Sequence, residues 1–311
     1  MSNIKCEKLI ATHFFRNGIL GGPKEINFDY MLSDQEKINI DIEQLVVRKI
    51  TISSDKDINT KDLYATYINL EKLLMLFDGR FIPLEDLKFE NSTTNTDEEL
   101  LSIAQDKKDQ RLSYYKTVDF CNTTDLKLLD FESFLDEHIL KEWTALLDEM
   151  DIMFQIFLYF TADNHIPVDC RCAFFIEAAE SMVELLNHRK NLFPKLTPGK
   201  KGTSLRMCLE KMIEEYGQDI FNKEISQPNT KFWDFLIASR VRIMHIKLNQ
   251  PKTYFNGAES LLYTTKFLLL YRHILFDLLG IDESKYKTEL IGIVDRWDNH
   301  DNILSQFLSK I

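Results

Sequence analysis

The residues whose types and spacing best suit chemistry lie in "IASRVRIMHIKLNQPKTYFNGAESLL", residues 237 to 262, where Arg240, Arg242 and His245 come just before an apolar helix breaks. Histidine is the side chain whose ordinary pKa suits proton transfer near neutral pH. Arginine supplies a fixed cation where negative charge builds in a transition state, because it keeps its proton. Arg240 and His245 are five residues apart. On an ideal helix that spacing separates the side chains by about 140°, since each residue turns through about 100°. They converge only if the helix ends at His245, and "KLNQPKTYFNG", with Pro251 and Gly257, supplies the ending. A plainer reading stands beside this one: cations in a last turn complement the negative end of the helix dipole with no further role.

The other chemistry-bearing residues are fewer. Residues 189 to 211, "RKNLFPKLTPGKKGTSLRMCLEK", carry Arg189, Lys190, Lys195, Lys200, Lys201, Arg206 and Lys211 against Glu210 alone. Such a stretch can contact phosphates, or it can be a solvated loop with scattered lysines. Its "KKGTS" lacks the spacing and the preceding strand of a phosphate loop. His188 reads as a helix-end partner of Arg189, and His273, in "LLYRHILF", as a core or interface histidine. Phe232, Trp233 and Phe235 read as packing. Cys208 has no adjacent histidine to activate it. Cys170 and Cys172 have the wrong spacing for a zinc knuckle or a redox pair, and no His-Glu-x-x-His or comparable cluster occurs, so neither a metal nor a cofactor is expected.

These residues need elements to hold them. With 44% hydrophobic residues the chain can bury proper cores, and 22 Phe against 10 Gly and 7 Pro favour long helices with few breaks. The net charge of −11 argues against a broad nucleic-acid-coating surface while leaving room for a local basic site. Five irregularly spaced cysteines (Cys6, Cys121, Cys170, Cys172 and Cys208), with no leader pattern in "MSNIKCEKLIATHFFRNG", point to free thiols in a reducing cytoplasm. "MDIMFQIFLYF" is too short to span a bilayer, and "LLYTTKFLLLYRHILFDLLGI" is interrupted by Lys266, Arg272, His273 and Asp277. No membrane association is expected.

The periodicity splits the chain into an α+β arrangement, with a β-rich domain over 1–132 and a helical domain over 133–311. "KINIDIEQLVVRKITIS" (37–53) opens with Ile38, Ile40 and Ile42 alternating with polar residues, the pattern of a half-buried strand. Further strands are expected in "DLYATYINL", "RFIPLEDLKFE" and "RLSYYKTVDF", with a short helix at "LEKLLMLF" and an exposed excursion, a short helix with loop flanks, over "NSTTNTDEELLSIAQDKKDQ". Beyond 133 the apolar spacing becomes three and four. It predicts five helices: 132–163, ended by Asp163-Asn164 and Pro167; 169–192, stopped by Pro194; 202–221, capped by Thr203 or Ser204; 229–248, starting near Asn229 or Thr230; and 257–281, ended at Gly280. One or two weaker helices follow.

The helical half resembles the HEPN superfamily, whose recurring motif is an Arg followed, after four to six residues, by a His at the end of a bundle helix. The segments that carry the likeness are "FFIEAAESMVELLNHR", "FWDFLIASRVRIMHIK" with the break after it, and the Leu-rich helix that follows. Their order, behind a β-rich half, is similar to that of ApeA-like bacterial defence proteins. The likeness covers about 140 to 282 well and the first half in outline. It implies an all-α HEPN-type bundle and a metal-independent endoribonuclease of anti-phage, abortive-infection defence. The bundle would form a homodimer with two motifs facing across one composite site. Arg240 and His245 are the positions that match the catalytic pair. Attack of a ribose 2′-hydroxyl on phosphorus would leave a 2′,3′-cyclic phosphate. The RNA contacts expected beside them are Arg189, Lys190, Lys200, Lys201, Arg206 and Arg242. Many relatives carry a polar residue directly after the motif Arg, where this chain has Val241. The resemblance also implies a sensor or restraint role for the β-rich half, answering a phage-derived trigger. Two other readings remain: a non-catalytic HEPN module that binds RNA or a protein partner, and a toxin silenced by a partner nucleotidyltransferase.

Overall fold

The computed structural model describes residues 4–14, 24–33, 35–44, 47–79, 82–91, 97–114, 126–162, 166–228, 230–245 and 253–311, with the side chains of 14, 112–114 and 151–162 outside the description. Outside it too lie Cys121, Asp163, Asn164, Asn229, Pro251 and most of "NSTTNTDEE". Antiparallel strands come first and helices follow, so the chain is mixed α+β. It forms two compact units, Met1–Asp148 with Thr161–Asp163, and Glu149–Phe160 with Asn164–Ile311.

The first unit holds β1 (Lys5–Phe14), β2 (Lys24–Met31), β3 (Lys37–Gln44), β4 (Val47–Asn59), α1 (Thr60–Asp78), β5 (Leu84–Glu90), α2 (Glu98–Tyr114) and the start of α3 (Glu137–Ala162). The strands make one antiparallel sheet in the order β2-β3-β4-β1-β5. Ile38, Ile40 and Ile42 alternate inward as their spacing predicts, and all three are fully buried. The run from 37 to 53 is nonetheless a hairpin, in which Ile40 faces Ile52, Ile42 faces Ile50 and Gln44 faces Arg48. Across β1 the same rows continue with Leu9, Ala11 and His13. The inward face is therefore apolar in two rows and polar in the third, His13–Arg48–Gln44.

"DLYATYINL" is not a strand but most of the first half of α1. Its aromatic and β-branched residues suit strands, yet Leu63, Tyr67, Leu70 and Leu74 recur at helical spacing and are all buried. Asn59 caps the helix by accepting from the Lys61 N–H at 2.9 Å. Gly79 closes it at φ 70°, donating its N–H to Met75 O at 2.8 Å. In "RLSYYKTVDF", Arg111 to Tyr114 end α2 and the rest lies outside the described residues. The expected excursion holds a helix, as read, which starts at Glu98, while 92–96 lie outside the described residues. Trp143 of α3 is fully buried and donates Nε1–H to Asn69 O at 2.8 Å, so the units part inside that helix and not at 132.

The second unit holds α4 (Val168–Glu177), α5 (Ala179–Lys190), α6 (Leu205–Tyr216), α7 (Gln218–Ile225), α8 (Phe232–Met244), α9 (Gly257–Leu278), α10 (Lys287–Asp298) and α11 (Ile303–Leu308). Two expected helices are each a pair, broken at Ala178 and at Gly217. Asn191, at φ 49°, ends α5 before Pro194 is reached. Ser204 caps α6, accepting from the Met207 N–H at 3.3 Å. Asn256 and Glu259 form a reciprocal capping box that starts α9. No helix among the described residues is long and apolar enough to cross a membrane.

Candidate functional site

Two anchors place α8. Near its start Phe232 and Phe235 are buried among Tyr263 of α9, Phe307 of α11 and Phe255, with the Phe255 and Tyr263 rings stacked at 4.3 Å. Further along, Ser239 Oγ accepts the Phe255 N–H at 2.8 Å and so brings the chain back to α8. α4 is tied to α9 by Tyr271, whose hydroxyl donates to Phe175 O. These contacts set the last residue of α4, Glu177, opposite Arg240 of α8.

The helix ends where the spacing of Arg240 and His245 requires. His245 N–H closes the last turn on Val241 O at 2.9 Å, and its backbone then leaves helical geometry at φ −125°, ψ 90°. The imidazole swings back until Nε2 lies 2.9 Å from Arg240 Nη1. An Arg N–H can only donate, so Nε2 accepts, and in the neutral ring the proton sits on Nδ1. Residues 246–252, with Pro251, lie outside the described set.

Arg240 has a second partner that sequence reasoning missed. Its Nη2–H donates to Glu177 Oε1 at 2.7 Å and its Nε–H to Glu177 Oε2, a two-point contact. Hydrogen bonding to Glu177 raises the guanidinium pKa further. The two side chains are 20% and 34% exposed, so solvent and solutes reach the pair. The available signal was the stripe Glu177, Glu180, Glu184 on an apolar segment, which reads equally well as a solvated face.

A cavity of about 600 Å³ opens beside Arg240, between α5, the start of α6 and α8. Val241, Ile237 and Ala238 form its apolar wall, and Glu180, Asp234 and Arg206 stand with Arg240 among its lining. Val241 is therefore part of a wall. Burial, helped by the charge of Glu177, raises the pKa of the Glu180 carboxyl.

The basic residues do not form one surface. Arg189 pairs with Glu149 at 2.7 Å and Lys190 with Asp277 at 2.6 Å. Arg206 pairs with both Glu210 and Asp234 at 2.8 Å. Arg242 turns toward Asp169, 3.7 Å away, and lies 4.0 Å over the Tyr254 ring. Lys200 and Lys201 are exposed on a turn flanked by Gly199 and Gly202, at φ 74° and 105°. Of the six, Arg206 alone joins Arg240 in lining the cavity.

The remaining candidates are structural. His273 is buried, with Nδ1 2.7 Å from the Tyr286 hydroxyl, and its burial lowers its pKa. His188 sits 3.0 Å from Glu149. Burial pushes the thiols of Cys208 and Cys6 up to about 11 and about 12, and that of Cys172 higher still, so all three stay protonated. Among the described residues, no group of three or more His, Cys, Asp or Glu side chains is placed to hold a metal ion. Compared with known proteins, the chain matches no family model, no curated protein and no solved structure.

Proposed function

We propose that the helical unit is a HEPN-type, metal-independent endoribonuclease and that Arg240 and His245 are its catalytic pair. The observation that carries this reading is the 2.9 Å contact between them at the open end of α8, on the edge of a cavity large enough for part of a nucleotide. Arg240 would grip the scissile phosphate and offset charge on its equatorial oxygens. As the guanidinium turns to the phosphate it releases His245 Nε2, whose lone pair then takes the proton of the attacking 2′-hydroxyl. The oxygen–phosphorus bond to the leaving 5′-oxygen breaks, and that oxygen needs a proton. A second copy of the motif, facing the first across a homodimer, supplies it from the other histidine. Glu177 holds the guanidinium in register until substrate arrives. The cytoplasmic, anti-phage setting and the restraint exerted by the β-rich unit belong to the same reading and rest on the family resemblance.

Cleavage of RNA by the purified chain in excess EDTA tests it. The intact protein should give 2′,3′-cyclic phosphate ends, and His245→Ala should lose about a thousandfold or more in rate while keeping its helical content. Cleavage that persists in both His245→Ala and Arg240→Ala would remove the assignment. One observation favours a second reading, a non-catalytic RNA-binding module: Glu177 already neutralises Arg240. A chain that binds RNA, never cuts it and is monomeric by light scattering at every concentration would establish that reading instead.

A further inference from the structure

The cavity beside Arg240 is built differently from a phosphate site. Phosphate recognition needs converging donors, but here Ile237, Ala238 and Val241 of α8 give an apolar strip beside Asp234 and Arg240, and the charged groups among the lining are of both signs. Asp234, Ile237, Ala238 and Val241 recur at three and four spacing and so form one stripe along α8. An apolar strip with a few polar groups beside it suits an aromatic ring whose face is apolar and whose edge is not. The volume, about 600 Å³, lies within the range of small-molecule sites, about 300–1,000 Å³.

The edge groups narrow the choice. Glu180 lines the cavity and accepts no hydrogen bond from any other described residue. Its carboxyl is partly desolvated and lies near Glu177, so an incoming N–H donor is favoured there. Arg206 is steadied by Glu210 and Asp234 and still has further N–H groups to offer an acceptor. A ligand that fits presents adjacent N–H donors to a carboxylate and an acceptor to a guanidinium. Guanine does so through N1–H and N2–H₂ on one side and O6 or N7 on the other. Uracil has one N–H between two carbonyls, and adenine has no second donor beside its amino group.

We propose that this cavity is a guanine subsite: it holds the base of the nucleotide whose phosphate Arg240 grips, with Glu180 reading the donor edge, Arg206 the acceptor edge, and Ile237 and Val241 lying against the ring. The identity of the phosphate's neighbour rests on the nuclease reading of Arg240 and His245; the base contacts do not. Val241 then has a reason of its own to be apolar, since a polar residue there would present a group to the face of the ring.

Calorimetric titration with the 3′- and 5′-monophosphates of guanosine, adenosine, cytidine and uridine, in EDTA, tests the subsite without requiring turnover. A guanosine nucleotide should bind about tenfold tighter than the best of the others, about 1.4 kcal/mol. Ala238→Trp, which fills the cavity, should abolish binding. Glu180→Gln, which replaces one of two acceptor oxygens by a donor, should bring the preference below about threefold. Equal affinity for the four bases, absence of binding at millimolar ligand, or guanosine preference untouched by Glu180→Gln would overturn the proposal. Should Ala238→Trp fail to fold, the Glu180→Gln result decides alone. Failure of the two readings is separable. Cleavage that depends on His245 with no base discrimination in binding removes the subsite and leaves the nuclease. Guanosine preference in a chain whose cleavage ignores His245→Ala does the reverse.

Discussion

The same three residue types meet twice in this molecule, once in each unit. In the first unit His13 Nδ1 lies 2.9 Å from Ile82 O, and Nε2 lies 3.2 Å from the Tyr67 hydroxyl. Tyr67 donates to Glu71 at 3.0 Å, and Glu71 is ion-paired with Arg111. In the second unit His245, Arg240 and Glu177 are joined by a 2.9 Å contact and a two-point ion pair. A list of contacts would not separate them. Burial does: the Glu71 and Arg111 side chains are 4% and 9% exposed, those of Glu177 and Arg240 34% and 20%. The first cluster ends the inward face of a sheet, beside the pair of Arg48 and Asp78 at 2.7 Å. The second lies at a helix end and adjoins a cavity. Charge sealed in a core serves the fold, whereas charge held in order at an opening is available to a substrate.

The largest expected difference between the clusters is in stability. Arg111→Met should leave Glu71 buried without its countercharge and lower unfolding stability by about 3–5 kcal/mol in urea denaturation. Arg240→Met should cost about 1 kcal/mol or less, because its pair is open to solvent. Equal losses would end the distinction. Next in size is Glu177→Gln, which keeps the shape and removes the charge. On the proposed nuclease reading it should lower the RNA cleavage rate about tenfold to a hundredfold through poorer alignment of Arg240 and His245, with the melting temperature almost unmoved. An unchanged rate would return Glu177 to the solvated face.

Acid separates the clusters more gently. Burial, its largest cause, lowers the pKa of His13 despite the nearby carboxylate of Glu71. The unfolded chain therefore binds the proton first. The stability contributed by neutral His13 is complete above its unfolded pKa of about 6.5 and is lost as pH falls toward the folded value, at no more than about 1.4 kcal/mol per pH unit. The buried His273 is lowered by the same cause and adds a slope of the same sign. Stability measured from pH 7 to 5 should fall, and His13→Asn should flatten part of the fall; a slope untouched by that change would mean that His13 is not the titrating group. The smallest effect is expected from Lys200→Ala with Lys201→Ala. These lysines should leave stability within about 0.5 kcal/mol and reduce the slope of log affinity for single-stranded RNA against log salt by about 1.4. No change in slope would remove the turn from the proposed RNA contacts.

Much of this organisation is legible along the chain. The alternation of Ile38, Ile40 and Ile42 marks a buried sheet face, and the three-and-four spacing beyond 133 marks the helices. The five-residue interval from Arg240 to His245, next to a break, marks a place where an arginine and a histidine can meet at a helix end. Composition misled over "DLYATYINL", where aromatic and β-branched residues pointed to a strand and the period of the buried positions made a helix. It was silent on the division between β3 and β4, because both strands bury isoleucine on the same face.

What the sequence determined by itself is whatever a few neighbouring residues encode: chemical type, period, caps and the end of α8. Only the tertiary structure decided that Glu177, 63 residues away, clamps Arg240, that Val241 faces a cavity, and that Arg189, Lys190, Arg206 and Arg242 already face carboxylates. Those outcomes depend on which helix faces reach contact distance. That is set by how the aromatic residues around Phe232, Phe255 and Tyr263 pack together, and no local pattern records it.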